Sequence, residues 1–321
     1  MKFPLISIGI TTYNAICTVQ QAIESALAQT WQNLEIIIVD DCSTDGTYEY
    51  LKKEYSHLKY VHIFRNVSNS GVAYSRNFII NKANGEFLAF FDDDDRSVPD
   101  RLAKQYSRIS DFEKLFATPP LTVTHSSRRI IHPSGASILE KTMGTDIAKV
   151  PPQGIPVAKR ILLGHFLRNG YGSCATCSQM ARVSTYRKLD GFDLTFLRSE
   201  DTDFCVRLAL KGAHFLGISQ PLVEQTLTSS SEKNIDTEYY YFRKLLIKHQ
   251  EFIRKHGDLE FCLSWLKLKY SILKRDLLLS FTEALQLFLF FPCLSAQRLI
   301  SALRSSKSNL MYSNFYANSA Q

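Results

Sequence analysis

Four apolar runs separated by helical patterns fill the first 91 residues, and this alternation constrains the fold more than any other feature of the chain. The runs cover residues 5–10, 34–39, 60–64 and 87–91 and predict strands. Helices are predicted between them, over residues 18–29, 48–55 and 75–83. Strands and helices that alternate in this way predict an α/β fold with a doubly wound, mostly parallel sheet.

Polar residues follow three of the predicted strands. The first run is followed by Thr11 and Tyr13, and the second by Asp40 and Asp41. Four consecutive aspartates, residues 92–95, follow the fourth run. The carboxyl ends of parallel strands meet at one edge of the sheet, where ligands of such folds bind. We therefore expect these polar residues to converge on one rim.

The aspartate run is the strongest candidate for a binding site. Adjacent carboxylates repel one another and raise each other's pKa, so such a run favours a bound cation. Oxygen ligands suit Mg²⁺ or Mn²⁺, and Mg²⁺ usually shares its coordination shell with substrate phosphates. The run therefore predicts a metal–nucleotide site. The alternative is a solvated acidic turn before a helix that begins near Pro99.

The positive charge and the cysteines bear on partners and compartment. Residues 241–321 hold 12 Lys and Arg against 5 Asp and Glu, whereas the rest of the chain is balanced, so the tail favours an anionic partner. Seven cysteines are too few and too scattered for a disulfide scaffold, which favours a reducing compartment. Cys174 and Cys177 form a CxxC pair without a second pair at zinc-ribbon spacing, so a zinc or redox role is the less favoured interpretation.

Beyond Pro99 the patterns are weaker. Residues 121–124 and 128–131 predict a hairpin, residues 141–154 a loop and residues 161–168 a short helix. Phe204 to Lys211 predicts a helix that ends at Gly212, followed by a strand over 213–218. Residues 238–303 are predicted to be mostly helical.

Several short motifs occur in a fixed order over residues 5–231. They are TTYN (11–14), VDDCSTDGT (39–47), NSGVA (69–73) with Arg76, FDDDD (91–95), DGFD (190–193) and EDTDF (200–204). With these motifs the chain resembles the family 2 glycosyltransferases of bacterial surface-glycan synthesis, inverting enzymes with the A-type nucleotide-sugar fold. The resemblance implies a catalytic domain over residues 1–235, with a donor half (1–110) and an acceptor half (111–235). Residues 236–321 then form a helical C-terminal appendage.

The resemblance assigns the nucleotide to the first part of the rim. Tyr13 would stack on a pyrimidine, Asp41 would accept from a uracil N–H, and Thr11 would lie against the base. Arg76 would reach the diphosphate or the Asp40/Asp41 pair. The alternatives are a packing role for the tyrosine, a cap or turn role for Asp40 and a surface role for the arginine.

The resemblance also assigns the reacting groups. Asp92 and Asp93 would hold the ribose hydroxyls, and Asp94 would ligate Mn²⁺ or Mg²⁺ at the diphosphate. Asp95 is predicted to lie behind the ligands or to face solvent. Inverting transfer needs one general base, and the resemblance makes Asp201 that base. Glu200 and Asp203 remain alternatives, because only geometry separates neighbouring carboxylates.

One segment departs from the family pattern. Many members carry a His or a basic residue after the helix of the base, where it helps to hold the diphosphate or the metal. Residues 223–228 have neither, so diphosphate binding by this segment is not expected. His214 nearby is predicted to be a core histidine. Ser229 to Ser231 is predicted to be a loop that orders on the donor.

The C-terminal region combines an apolar helix with basic flanks. Residues 277–294 are rich in Leu and Phe with one charge, Glu283, and Lys and Arg lie on both sides. We expect a helix on an anionic membrane surface, a helix packed on protein, or, less favoured, a membrane span. The N-terminus shows no apolar core of a signal peptide, so a cytoplasmic location at the inner face of the membrane is expected.

The sequence therefore predicts a metal-dependent inverting glycosyltransferase that uses a nucleoside diphosphate sugar, with a UDP-sugar as the favoured donor. The acceptor would be a hydroxyl of a cell-surface glycan or of a lipid-linked glycan. A non-catalytic nucleotide-sugar-binding subunit is the alternative. A GxGxxA match at 170–175 lies too far from the first strand–helix turn for an NAD site. No nucleic-acid partner is predicted, because no nucleic-acid-binding module is recognisable.

Overall fold

The computed structural model describes residues 3–132, 134–144, 150–168, 170, 172–227 and 234–303. Its first part alternates strands and helices as predicted, with boundaries shifted by a few residues. These elements are β1 (Ile6–Thr12), α1 (Val19–Leu27), β2 (Leu34–Asp40), α2 (Thr47–Tyr55), β3 (Val61–Arg65), α3 (Val72–Lys82) and β4 (Phe87–Asp92).

The second part completes the sheet and adds helices. Its elements up to the last strand are β5 (Asp95–Ser97), α4 (Arg101–Glu113), β6 (Thr122–Ile131), β7 (Ser137–Glu140), α5 (Ile155–Leu163), β8 (Gln179–Arg182), α6 (Val183–Arg187), α7 (Glu200–Leu210) and β9 (His214–Thr226). The C-terminal helices are α8 (Ile235–Lys248), α9 (Gln250–His256), α10 (Leu259–Leu273), α11 (Leu277–Phe290) and α12 (Pro292–Leu303).

All these strands belong to one sheet of order β3-β2-β1-β4-β8-β6-β9-β5, with β7 on β6. The pairs β3–β2, β2–β1 and β1–β4 are parallel, and so is β6–β9. The short strand β8 is antiparallel to β4 and β6 and joins the two parallel groups. The predicted fold class, a doubly wound and mostly parallel sheet with C-terminal helices, is confirmed.

Alternate residues of the strands enter two different cores. Ile36 and Ile38 of β2 pack in the cluster that contains α1, α2 and α4, whereas Ile37 and Val39 pack in the cluster that contains α3, α6 and α7. This period of two, in strands that are buried on both faces, explains their continuous apolar runs.

Two predicted elements are wrong. Residues 121–131 do not form a hairpin, because β6 is one continuous strand that takes β9 as a parallel partner and β7 as its hairpin partner. The helix expected over 161–168 is α5, which ends at Leu163. Gly164 follows with φ +66° and the left-handed conformation that closes helices. The 229–231 loop prediction lies outside the described residues.

The C-terminal helices share a core with the sheet domain. Phe196 and Val206 pack in one cluster with Leu245, Ile253 and other apolar residues of α8 to α11. The predicted domain boundary at 235/236 falls at the start of α8. Among the described helices, none is long and apolar enough to cross a bilayer.

Asp203 of α7 forms charged contacts with Lys248 and His249, at the end of α8. Its buried carboxylate accepts from His249 Nε2 at 2.9 Å and lies 2.7 Å from both Lys248 Nζ and Arg207 Nε. Burial alone raises the pKa of Asp203, but the bonds from His249 and Lys248 and the charge of Arg207 outweigh it and lower the pKa to about 2. The charge of Asp203 therefore stabilises the folded protein.

Asp203→Asn should lower the free energy of unfolding at pH 7 by about 2–3 kcal/mol. Because the folded pKa lies below the unfolded pKa, the stabilisation is present above about pH 4 and is lost as the pH falls toward about 2. Urea unfolding of both proteins at pH 7 and pH 3 measures this. Asp111→Asn, which removes an exposed 2.9 Å pair with Lys114, is the control and should change stability by less than about 0.5 kcal/mol. An equal Asp203→Asn effect at both pH values would contradict the assignment.

Gly191 explains the DGFD motif. It has φ +68°, and a Cβ at this position would lie 2.1 Å from Asn77 Oδ1. Asn77 in turn accepts from the Phe192 N–H at 2.7 Å and donates to the Phe192 carbonyl at 2.8 Å. The glycine thus lets α3 clamp the turn that precedes α7.

Gly191→Ala should lower the free energy of unfolding by about 2–4 kcal/mol, from left-handed strain and the displaced asparagine bonds. Gly212→Ala is the matched control, since Gly212 has φ +80° and its Cβ would meet no described atom within 4 Å. It should cost only about 1 kcal/mol. Urea unfolding compares the two, and equal losses would show that the Asn77 contact contributes nothing.

Candidate active site

The carboxyl ends of β1, β2 and β4 lie side by side. In the sheet register Thr11 pairs with Val39 on one side and with Asp92 on the other. The N–H of Asp41 donates to the carbonyl of Thr12 at 2.8 Å. The predicted rim of polar residues is therefore present.

The carboxylate of Asp41 organises the loop before α3. It accepts from Asn66 Nδ2 at 2.7 Å, from the Ser70 N–H at 2.9 Å and from the Gly71 N–H at 2.7 Å. Asp41 is buried, and Gly71 has φ +87°. The structure places Asp41 on the rim, but most of its acceptor capacity is already used within the chain.

Tyr13 lies in a turn that is fixed from several sides. Its own N–H donates to Asp93 Oδ2 at 3.2 Å, and the next N–H, of Asn14, donates to Ser43 Oγ at 2.9 Å. The Ile16 N–H donates to Asp45 Oδ2 at 3.0 Å. The tyrosine side chain itself is 44% exposed. The backbone is thus held while the ring stays open to a ligand.

The aspartate run forms the turn between β4 and β5 rather than an approach to a helix. Asp92 ends β4, Asp95 begins β5, and α4 starts only at Arg101. Burial, together with the neighbouring charges of Asp94 and Asp92, raises the pKa of Asp93 to about 7. The carboxylates of this turn therefore repel one another, and the repulsion favours protonation of Asp93 or binding of a cation.

Asp95 does not face solvent, and that part of the prediction is wrong. It pairs in register with Gln225 of β9, which draws its side chain into the protein. Burial and the charges of Asp94 and Asp92 raise the pKa of Asp95 well above its ordinary value. A contact from the Cys177 thiol and the charge of Arg128 lower that pKa only in part, and neither carboxylate oxygen has a hydrogen bond of ordinary geometry within the described part of the chain. Carboxylate oxygens of Asp92 and Asp95 and the thiol of Cys177 lie within 4.8 Å of one another.

Arg76 joins the aspartate run to α7. Its buried guanidinium lies 2.6 Å from Glu200 Oε1 and 3.3 Å from Asp92 Oδ1. Burial would lower the pKa of Arg76, but the charges of Asp92 and Glu200 outweigh it and raise that pKa. The expected contact with Asp40 is made by Arg65 instead, at 3.4 Å.

The three carboxylates at the start of α7 have different surroundings. Asp203 is buried among cations on the side of α8 and α9. Glu200 is buried against Arg76, and burial raises its pKa. Asp201 is partly exposed and lines the cleft, where its Oδ1 accepts from the Thr202 N–H at 2.6 Å. Of the three, Asp201 is the least buried, and its carboxylate is not held by a described cation as that of Glu200 is.

Arg128 is a cleft residue that the sequence patterns did not identify. Its guanidinium contacts Gln225 Oε1 at 2.5 Å, Ser173 Oγ at 2.8 Å and Glu140 Oε2 at 2.9 Å. It therefore stands beside residues 223–226, the segment that lacks a basic residue of its own. No sequence signal marked it, because only the pairing of β6 with β9 brings it here.

These groups surround one open cleft of about 590 Å³. Residues of the aspartate run and of α7 line it together, and both charge signs are present. The charged residues that line the cleft include Arg76, Asp92, Asp94, Arg128, Glu140, Arg160, Arg198, Glu200 and Asp201. The predicted metal ligand and the predicted base thus share a cleft. Thr11, Tyr13, Asp41 and Asp93 form the adjoining part of the rim.

Known proteins resemble the chain in sequence and in fold. An uncharacterized glycosyltransferase of Haemophilus influenzae is 42% identical over 105 residues, which are 33% of this chain and 42% of that protein. The Escherichia coli UDP-Glc:alpha-D-GlcNAc-diphosphoundecaprenol beta-1,3-glucosyltransferase WfaP is 39% identical over 114 residues, which are 35% of this chain and 43% of that protein. The chain thus spans about four tenths of the length of these relatives.

A solved structure agrees with the fold. The structure of S. aureus TarS 1-349 in complex with UDP-GlcNAc superposes with a TM-score of 0.55 at 17% identity, covering 92% of this chain and 79% of that one. The family model described as "Glycosyl transferase family 2" matches residues 7–164, which include the rim, the aspartate run and β6. Residues 7–164 of the chain therefore match a glycosyl transferase family 2 domain.

Proposed function

We propose that the protein is an inverting glycosyltransferase that moves a sugar from a nucleoside diphosphate donor, preferably a UDP-sugar, to a hydroxyl of a cell-surface or lipid-linked glycan. The observation that carries this proposal is the shared cleft, which Asp92, Asp94 and Asp201 line together. WfaP is named for a UDP-Glc donor and an alpha-D-GlcNAc-diphosphoundecaprenol acceptor, and TarS was solved with UDP-GlcNAc, which supports both halves of the proposal.

Asp201 is the proposed general base. It takes the proton of the acceptor hydroxyl while that oxygen attacks the anomeric carbon from the face opposite the diphosphate. The bond from the anomeric carbon to the diphosphate breaks, and the configuration inverts. Glu200 suits this role less, because its carboxylate is held by Arg76 and its pKa is raised by burial.

The donor is proposed to bind along the rim. The exposed ring of Tyr13 stacks on the base, with Thr11 and Asp41 at its edge. Asp41 contributes chiefly by holding the 66–71 loop, given its three bonds to that loop. Asp92 and Asp93 face the ribose, and Arg76 places a positive charge beside them.

Mn²⁺ or Mg²⁺ is the proposed cofactor, and the residues present fit it. The turn 92–95 supplies only oxygen ligands, raises the pKa of Asp93 to about 7 and buries Asp95 without hydrogen-bond donors of ordinary geometry among the described residues. Asp94 is the proposed ligand, with Asp92 beside it in the cleft. When bound, such an ion would neutralise charge on the departing diphosphate.

Asp201→Asn should lower UDP release from UDP-glucose or UDP-N-acetylglucosamine by at least about 100-fold, because the general base is lost. UDP affinity, measured calorimetrically with Mn²⁺, should stay within about twofold. Asp94→Asn should weaken UDP binding in Mn²⁺ and leave a binding constant that no longer responds to a chelator.

Asp111→Asn, on the exposed face of α4, serves as the control and should behave like the wild type. A wild type that binds UDP but releases none from either donor would instead support the non-catalytic subunit. UDP binding that is equal with and without Mn²⁺ in the wild type would reject the metal role of Asp94.

We further propose that α11 places the enzyme on the inner face of a membrane. Its outward stripe is apolar, uncharged and at least half exposed, and consists of Leu277, Leu278, Phe281, Leu285 and Leu289. The only charge of this helix, Glu283, is buried in a pair with Lys267 on the opposite side. An apolar stripe of this size suits the headgroup–acyl boundary of a lipid bilayer.

The basic residues that flank α11 should contribute less to membrane binding than their number suggests. Lys267 is paired with Glu283 and Lys274 with Asp236, so these cations already have acidic partners. Arg304 and Lys307 lie outside the described residues. Burial of the apolar stripe should therefore dominate membrane affinity.

Leu278→Ser should weaken binding to phosphatidylethanolamine–phosphatidylglycerol vesicles about 10-fold, because about 1.5 kcal/mol of apolar burial is lost. The matched control is Leu115→Ser, since Leu115 is 74% exposed and Leu278 77%. Vesicle co-sedimentation measures both. Equal binding by the two variants would reject α11 as the docking face, and concentration-dependent dimers lost in Leu278→Ser would assign it to a second copy.

A further inference from the structure

A cluster of soft metal ligands lies beside the cleft and takes no part in the proposed transfer. One ring nitrogen of His125 and the thiols of Cys174 and Cys205 lie within 4.8 Å of one another. They come from β6, from the segment before the turn Thr176–Ser178, and from α7. The two cysteines of the CxxC motif therefore lie in different clusters, because the thiol of Cys177 lies near the carboxylates of Asp92 and Asp95.

The imidazole of His125 makes only a weak hydrogen bond with the Cys174 backbone, which a bound metal ion would replace. His125 is fully buried, and its Nδ1 has no hydrogen-bond partner of ordinary geometry among the described residues. The other nitrogen, Nε2, lies 3.0 Å from the amide of Gln179, whose remaining amide atom also lacks a partner. The two amide orientations of Gln179 have the same shape. The orientation that places Oε1 on the imidazole makes Nε2 the N–H donor and leaves the Nδ1 lone pair for a ligand.

That arrangement is the usual one for a metal-bound histidine, which donates its second N–H to an oxygen acceptor. Two thiolates and one neutral imidazole prefer Zn²⁺, and the charges of two thiolates cancel the charge of the ion, so a buried site stays neutral. Cys174 and Cys205 also line the cleft, which leaves a fourth position open to water.

The distances between the three ligand atoms suit Zn²⁺ if the side chains move slightly closer together. Zinc–sulfur bonds of about 2.3 Å at tetrahedral angles place two sulfur atoms about 3.8 Å apart. The three ligand atoms already lie within 4.8 Å, so movements of about 1 Å or less complete the set. The Cys205 thiol donates to the Cys174 carbonyl at 3.8 Å, so the two segments are already in contact.

We propose that His125, Cys174 and Cys205 form a Zn²⁺ site that ties α7 to the wall of the cleft. Binding releases the two thiol protons to solvent and forms two zinc–sulfur bonds and one zinc–nitrogen bond. Cys205 lies one helical turn after Asp201, so the ion holds the helix that carries the proposed base. The site is independent of whether the protein transfers a sugar.

The test uses the full chain without a histidine tag. After growth with Zn²⁺ and gel filtration, elemental analysis should find one zinc per chain. Co²⁺ added to the metal-free protein should give tetrahedral visible bands and a thiolate-to-cobalt charge-transfer band. The Cys174→Ser, Cys205→Ser and His125→Ala variants should each lose at least about 10-fold in Zn²⁺ affinity.

Cys177→Ser and Cys293→Ser are the matched controls and should keep the ion and the cobalt spectrum. Cys174 lies in a loop and is only partly buried, so its variant tests the site even where Cys205→Ser fails to fold. Wild type without bound zinc or a cobalt–thiolate band would overturn the proposal. Loss of zinc in Cys177→Ser as complete as in Cys174→Ser would also overturn it, in favour of a CxxC site.

Discussion

The buried ion pairs of Arg76 are the interaction on which the active-site geometry depends. The guanidinium lies 2.6 Å from Glu200 and 3.3 Å from Asp92, and it also lies over the ring of Phe192, 5.4 Å from the ring centroid. Taking such charges out of water costs several kcal/mol each, and only good pairing offsets that cost. Because removal of one partner leaves a buried charge unpaired, α7 has one favoured position relative to β4. That position brings Asp201 into the cleft that Asp92 and Asp94 also line.

Near this contact, negative charge is concentrated in the turn 92–95 of the cleft. The turn 92–95 raises the pKa of Asp93 to about 7 and leaves the buried Asp95 without ordinary hydrogen-bond donors in the described structure. Arg128 of β6 offsets part of this negative charge, but its guanidinium also donates to Glu140 and Gln225. The chain alone thus balances the run only in part. A divalent cation would offset part of the remaining negative charge and attract the anionic diphosphate of a donor, which is the electrostatic basis of the proposed function.

The C-terminal helices pack against the sheet domain rather than form a separate body. Their apolar residues share a cluster with Phe196 and Val206, and Asp203 bonds to His249 and Lys248 at the junction. This attachment uses one side of the helical layer. The outer stripe of α11 remains apolar and exposed, so the same layer can support the cleft and present a surface to a membrane in the proposed arrangement.

The sequence determined the features that depend on local periodicity and on strand ends. Apolar runs fixed the strands β1 to β4, and parallel strands must bring Thr11, Asp41 and Asp92 to one edge. Only the tertiary structure decided the contacts between distant segments. Arg76 meets Glu200 across 124 residues, Asp95 is buried because β5 pairs with β9, and Arg128 reaches the cleft because β6 continues where a hairpin was predicted. Cys174 likewise faces His125 and Cys205 rather than its CxxC partner. The physical reason is that local spacing sets which face of a strand or helix a side chain occupies, whereas its partner depends on the order of strands in the sheet.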